Sequence, residues 1–391
     1  MERLDGLGIG IVAIKVVVIF GFLLVSVMFT IWAERRVVAM MQQRIGPNRV
    51  GPFGMLQALA DGVKLFFKED IRPTAADRGT YLAAPIASLI PAFLSFAVVP
   101  FGADIHLGDR LVRLQLADLN IGVLFFLAMG SLMVYGVVLA GWSSGSVYPL
   151  LGGIRSSAQM ISYEIGLGLA VVAVVMFAGS LSTREIVDAQ AGFYGVVIPR
   201  WFVFAQLPAF LMFMIAGLAE TNRAPFDLPE AETELVAGFH TEYSGIKFAM
   251  FFLAEYLHVI TTSAIAVTLF LGGWRGPILP FATWLWPIVW FMAKLGAMIF
   301  LFMWVRATMP RFRYDKLMRF GWKILIPATF GWVAITALMV VLPQEIDRAW
   351  LAGIAGLVFA FAFLAWATML IKPTVGSLDP LKIRGRIRGS A

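Results

Sequence analysis

Residues 246–271, "IKFAMFFLAEYLHVITTSAIAVTLFL", decide the class of this chain. The run has 26 residues, is nearly all apolar and shows no strand alternation. That is more than the roughly 20 residues a helix needs to cross a bilayer. Glu255 sits near its middle, where a charge costs roughly 2.5–3.5 kcal/mol on insertion scales and has to face a bundle interior or a wet cavity. One such helix therefore predicts others packed around it.

Eight further segments of helical length flank it, at 9–33, 80–100, 121–142, 158–178, 202–219, 284–305, 323–342 and 351–371. The expectation is an all-α polytopic integral membrane protein with about nine transmembrane helices and one domain over residues 1–391. Composition agrees: 60% of residues are hydrophobic and 14% charged, with a mean hydropathy of +0.84. Soluble domains carry about 25% charged residues. The first run lacks a small-residue cleavage site and continues into "WAERR", so it reads as a retained span. Placing the N-terminus outside puts twenty-one Lys and Arg in the inner connections and seven in the outer ones, so basic residues set this orientation, with a basic tail at 372–391 on the inner side.

Just before the opening stretch lies "AETNRAPFDLPEAETELVAGFHTEYSG", residues 219–245. Glu220, Asp227, Glu230, Glu232, Glu234 and Glu242 against Arg223 leave a local charge of −5 in a chain of net charge +7. A solvated turn predicts carboxylates scattered among Gly and Ser, but this segment mixes them with Pro, Phe, Leu and Val, so 220–245 reads as an inner loop that packs against something. Clustered carboxylates in low dielectric raise one another's pKa and exchange protons near neutrality.

A second inner segment, 53–68, places Leu56, Leu59, Ala60, Val63 and Phe67 on one helical face and Gln57, Asp61, Lys64 and Lys68 on the other. It reads as an amphipathic surface helix. Two placements fit: flat on the membrane, or packed on neighbouring spans with its polar side solvated.

Glu164, Glu255 and Lys294 lie inside spans, so they should face one another or a wet cavity, as a structural ion pair or a functional site. His258, three residues beyond Glu255, can share its network. Lys15 can snorkel outward. Glu34, Arg35, Arg155, Glu220 and Arg223 mark inner helix ends. Ordinary interface flanking explains each singly; together they also form the row a proton relay needs. With no cysteine and only His106, His240 and His258, the chain has no disulfide or iron–sulfur ligation, and flavin, haem or nucleotide binding is not expected.

The motifs "AERRVVAMMQQRIGPNRVGPFGMLQALADGVKLFFKED" (33–70), "GGIRSSAQMISYEI" (152–165), the acidic stretch 219–245 and "RATMPRFRYDKLM" (306–318) closely resemble the H-subunit family of bacterial proton-pumping NADH:quinone oxidoreductase, respiratory complex I. The resemblance runs from about residue 9 to about 343. It implies a membrane-arm subunit of the bacterial plasma membrane, docked beneath redox subunits that carry flavin and iron–sulfur clusters, next to other membrane-arm subunits and lipid, with no nucleic acid. Quinone, ubiquinone or menaquinone, would be the substrate. A quinone-access tunnel is expected at Arg35, Arg36, Asp61, Arg155 and Phe226. Proton coupling is expected at Glu34, Glu164, Glu220, Arg223, Asp227, Glu230, Glu232, Glu234 and Glu255, with buried Lys294 added from its depth alone. Many relatives stop after eight spans, so 351–371 is a departure. The alternative is the equivalent membrane subunit of an ion-pumping hydrogenase or formate-oxidising complex. A free-standing transporter is disfavoured because internal repeats and broken-helix signals are missing.

Overall fold

The computed structural model describes residues 6–107, 110–194, 198–227, 236–277, 283–341 and 348–371. Among them, seven helices are long and apolar enough to cross a membrane. In chain order the helices are α1 (Gly6–Met41), α2 (Gln57–Phe67), α3 (Arg78–Ser95), α4 (Gly122–Ser143), α5 (Val147–Ala178), α6 (Thr183–Ala189), α7 (Phe202–Ala205), α8 (Leu207–Glu220), α9 (Gly245–Phe270), α10 (Trp286–Thr308), α11 (Tyr314–Phe320), α12 (Ile326–Val341) and α13 (Arg348–Ile371). Two short antiparallel hairpins, β1 (Ile105–Leu107) with β2 (Arg110–Val112) and β3 (Phe193–Tyr194) with β4 (Ile198–Pro199), lie at the end of the bundle opposite α2. The protein is all-α and spans a membrane.

All nine expected spans fall on helices, with three changes of outline. The span read as 158–178 starts eleven residues earlier, at Val147, and its first turns lie close against α4, Gly153 facing Gly141. The span read as 202–219 is broken at Gln206, which leaves the helical region at φ −121 and ψ 37, two residues before Pro208. Trp332 of α12 donates to the Gln206 carboxamide at 2.6 Å across that break. The span read as 323–342 continues back through a π-turn, Gly321–Leu325, into α11. Tyr163 of α5 packs against Gly321 and donates to the Leu317 carbonyl at 3.0 Å, which supports the widened turn.

α9 is the central post. Of its most apolar window 78% is buried, against 17% for α1, and it touches α1, α2, α3, α5, α6, α7, α8 and α10. In lipid there is little hydrophobic drive between helices, so close contact through small residues matters more. A Cβ at Gly136 of α4 would meet the Ser88 hydroxyl of α3 at 2.0 Å and the Ala84 carbonyl at 2.9 Å. At Gly141 it would meet the Pro149 carbonyl of α5 at 2.6 Å, and at Gly217 of α8 the Thr262 methyl of α9 at 2.8 Å. α13 packs on α7, α8 and α12, with Phe359 against Trp332 at 5.3 Å.

α2 settles which of its faces meets the protein. Gln57 and Asp61 are half-buried against the end of α1, whereas Leu59, Val63, Phe66 and Phe67 are exposed, Phe67 at 88%. Most of the apolar face therefore points away from this chain, and the packed side holds Gln57 and Asp61 beside Ala58, Gly62 and Leu65, with Lys64 exposed. Where α3 begins, Asp77 caps the helix by accepting from the Thr80 hydroxyl and amide, which holds its carboxyl below the usual range.

Candidate functional site

Towards the α2 end of the bundle, charged side chains from six helices and the turn after α8 form a file of three paired groups. It starts at the surface. Arg35, just inside the last turns of α1, donates to Asp61 of α2 at 2.7 Å, and Gln57 holds the second Asp61 oxygen at 3.1 Å. Arg36 and Trp32 both donate to the Phe53 carbonyl, at 3.1 and 3.0 Å, so the turn before α2 is pinned to α1.

One residue before Arg35 the file turns inward. Glu34 is buried, pairs with Arg306 from the last turn of α10 and accepts from the Tyr256 hydroxyl at 2.7 Å. The Arg223 guanidinium lies over the Tyr256 ring, 4.1 Å from its centroid, and its Nε is 3.1 Å from Glu255. Helical spacing brings this about: Glu255 and Tyr256 are adjacent on α9 and so point to different sides of Arg223. A pocket of about 300 Å³ opens on one side of this wall, lined by Glu34, Tyr256, Phe302, Met303 and Arg306. A second, of about 520 Å³, opens on the other, lined by Glu220, Asn222, Phe239, Phe251 and Glu255.

Deeper still, Glu220 ends α8 with its Oε1 3.3 Å from His258 Nε2. The same carboxylate abuts Gly130 of α4, where a Cβ would come within 2.9 Å, and the next residue, Ser131, donates to Glu164 of α5. Gly130 thus lets two carboxylates approach one short stretch of α4. The Ser88 hydroxyl, Glu220 Oε2 and Asn222 Oδ1 are buried, line the larger pocket and have no hydrogen-bond partner among the described residues. Among the described residues no cluster of three or more His, Asp or Glu has a metal-binding arrangement.

Several expected residues stand at the rim. Asp227 pairs with Arg311 at 3.0 Å, and Phe226 stacks on Phe312 at 5.8 Å while its carbonyl takes a hydrogen bond from Gln159. Arg155 lies over the Tyr314 ring at 5.7 Å. Glu230, Glu232 and Glu234 lie outside the described residues. Lys294 stands apart from the file. Near the opposite end of the bundle, its ammonium donates to the carbonyls of Leu271, Gly273 and Arg275 at 2.6–2.9 Å and sits over the Trp201 ring at 4.3 Å.

Sequence reading missed Tyr256, Ser131, Arg306 and Arg311 as members. The two arginines had counted only as positive flanks, although a cation in the last turn of α10 is where a helix C-terminus favours one. Spacing groups His258 with Glu255, but its ring faces Glu220.

A family model described as NADH dehydrogenase matches residues 14–337. The H subunit of NADH-quinone oxidoreductase from Frankia alni is 52% identical over 360 residues, covering 90% of this chain and 78% of the relative. Its counterpart from Frankia casuarinae is 54% identical over 349 residues, covering 88% of this chain and 76% of the relative. The match takes in every residue of the file from Glu34 to Arg306 as well as the helices that hold it, and so the chain belongs to the NADH dehydrogenase family, together with the H subunits of the NADH-quinone oxidoreductases.

Proposed function

We propose that this membrane subunit of NADH-quinone oxidoreductase forms part of the passage through which quinone reaches its reduction site, and carries the resulting change of charge into the membrane. The observation that supports this reading is the file of three groups: Arg35 with Asp61, then Glu34 with Tyr256, Arg223 and Glu255, then Glu220 with His258 and, across Gly130 and Ser131, Glu164. Electrons come from redox centres on partner subunits. What this chain supplies is position and charge. Arg35, half-exposed beside an apolar surface, offers guanidinium donors to a quinone carbonyl in transit, and an apolar path needs few such groups.

Reduction of the quinone takes up protons near the α2 end. A charge arriving beside Glu34 meets a set of contacts, Tyr256 and then Arg223, that leads to Glu255 inside the bundle. Glu230, Glu232 and Glu234 of the acidic segment are assigned the same coupling role from their charge. Basic residues in alternate connections support an arrangement with the α2 end cytoplasmic and the N-terminus outside, in a bacterial plasma membrane. The peripheral redox subunits would then cover the α2 end, while adjacent membrane-arm subunits and lipid cover the exposed helix flanks.

The test uses the assembled enzyme. Asp61→Asn or Arg35→Ala should lower quinone reductase activity and leave NADH oxidation by an artificial acceptor intact. Equal loss of both activities would mean failed assembly and would count against a role in the passage.

A further inference from the structure

Between α2 and α3 runs a strap, residues 69–77, lying across the start of α9. Ser244 accepts from the Ile71 amide at 3.0 Å, and its hydroxyl is within 3.5 Å of the Glu69 and Ile71 carbonyls. Lys247, whose side chain is 10% exposed, donates to both oxygens of Asp70 at 2.9 and 2.6 Å. The same ammonium lies 4.9 Å from the Tyr81 ring, which stacks on Tyr243 at 4.2 Å with the planes 6° apart. Tyr81 donates to the Glu242 carbonyl at 2.8 Å, and the Tyr243 hydroxyl, whose pKa burial pushes up to about 12, reaches the Tyr81 carbonyl and Ser143 at 3.2 Å. Gly245, at φ +57, brings its backbone so near the end of α2 that a Cβ would lie 3.3 Å from the Lys68 carbonyl.

These contacts join two parts of the molecule that the charge file joins only through many steps. One is α2, which carries Asp61. The other is the C-terminal anchor of the acidic segment, residues 236–245. We propose that Asp70 and Lys247 are positioning residues that make α2, the strap and this anchor move as one body. A displacement of α2 at the quinone passage then reaches the acidic segment as a rigid shift, alongside the electrostatic route. A buried ammonium suits the task, because Lys247 holds both Asp70 oxygens and the Tyr81 ring at once and so ties the strap, α3 and α9 at one point. The proposal rests on α2 belonging to the passage.

The experiment compares Lys247→Met, Lys247→Arg and Asp61→Asn in the intact complex reconstituted in proteoliposomes, measuring kcat and KM for a short-chain quinone and protons moved per electron. The expected result for Lys247→Met is roughly a two- to thirtyfold fall in kcat with protons per electron also lowered, the scale of coupling changes seen along such networks. KM and artificial-acceptor activity should stay near wild type, and Lys247→Arg should restore the lost coupling. Unchanged kcat and protons per electron in Lys247→Met would overturn the proposal. A raised KM with normal pumping would also overturn it, since it would make Lys247 a binding group. Failure of the passage reading is visible separately, as unaltered quinone kinetics in Asp61→Asn.

Discussion

Tyr256 is gripped by opposite charges. Its hydroxyl serves the buried Glu34 carboxylate while Arg223 covers its ring, so one side chain carries both an acceptor's proton and a cation's resting place. Tyr256→Phe separates the two, keeping the ring under Arg223 and removing the donor. A hydrogen bond to a charged group contributes about 1.5–3 kcal/mol, so quinone-linked turnover should fall about ten- to hundredfold if that bond sets the arrangement of Glu34. Artificial-acceptor activity of the same preparation should be retained. Normal turnover in the phenylalanine variant would leave Glu34 to Arg306 alone. Lys294 teaches the opposite lesson about single residues. Its depth in an apolar run marks it as functional from sequence, yet its ammonium is satisfied by three carbonyls of the 271–275 turn and an indole face. Sequence shows that a charge is buried but not which backbone atoms a distant turn will aim at it.

Among the elements, α3 and α4 show how tightly this bundle depends on absent side chains. Gly136 leaves no room for a methyl group against Ser88, so Gly136→Val must push the two helices apart. Overpacking of this kind costs about 1–3 kcal/mol, and the variant should yield markedly less assembled complex in membranes, read by blue-native electrophoresis. Gly136→Ala should show a smaller loss in the same assay. Element identity was legible from the sequence wherever apolar length decided it, as in α1, α4 and α9. The amphipathic character of α2 was legible too, but not its facing, because the partner of Asp61 is an arginine on α1 and hydropathy treats both as solvent-seeking. The break at Gln206 was hidden for a related reason. Both halves are apolar, and what stabilises the interruption is Trp332, 126 residues further along the chain.

Across the whole molecule the acidic segment is a span of chain held at two ends. Asp227 and the Pro225 carbonyl tie its start to Arg311 and Phe312, and Tyr243, Ser244 and Lys247 tie its end to the strap and the start of α3. Glu230 and Glu234 belong to the part between these anchors, and on a helix they would be one turn apart and repel when both are charged. The double variant Glu230→Gln with Glu234→Gln should therefore lower quinone turnover and proton pumping together in proteoliposomes, with the complex still assembled. Normal values of both would assign the segment a purely solvated role. The charge of the segment and the apolar Phe226 and Phe239 buried near its two ends are plain in sequence, whereas Val236 is exposed and the anchors are long-range pairs that no local pattern announces. The same long range sets a clock on biosynthesis. Glu34 leaves the ribosome 222 residues before Tyr256 and 272 before Arg306. At about 5–20 residues per second, α1 sits in the translocon's neighbourhood for roughly ten to fifty seconds before its carboxylate can be neutralised by its final partners. The body of α1 can meet α2 and α3 early, through Arg35 with Asp61 and Phe20 with Phe93, while its one buried carboxylate waits for helices made long afterwards.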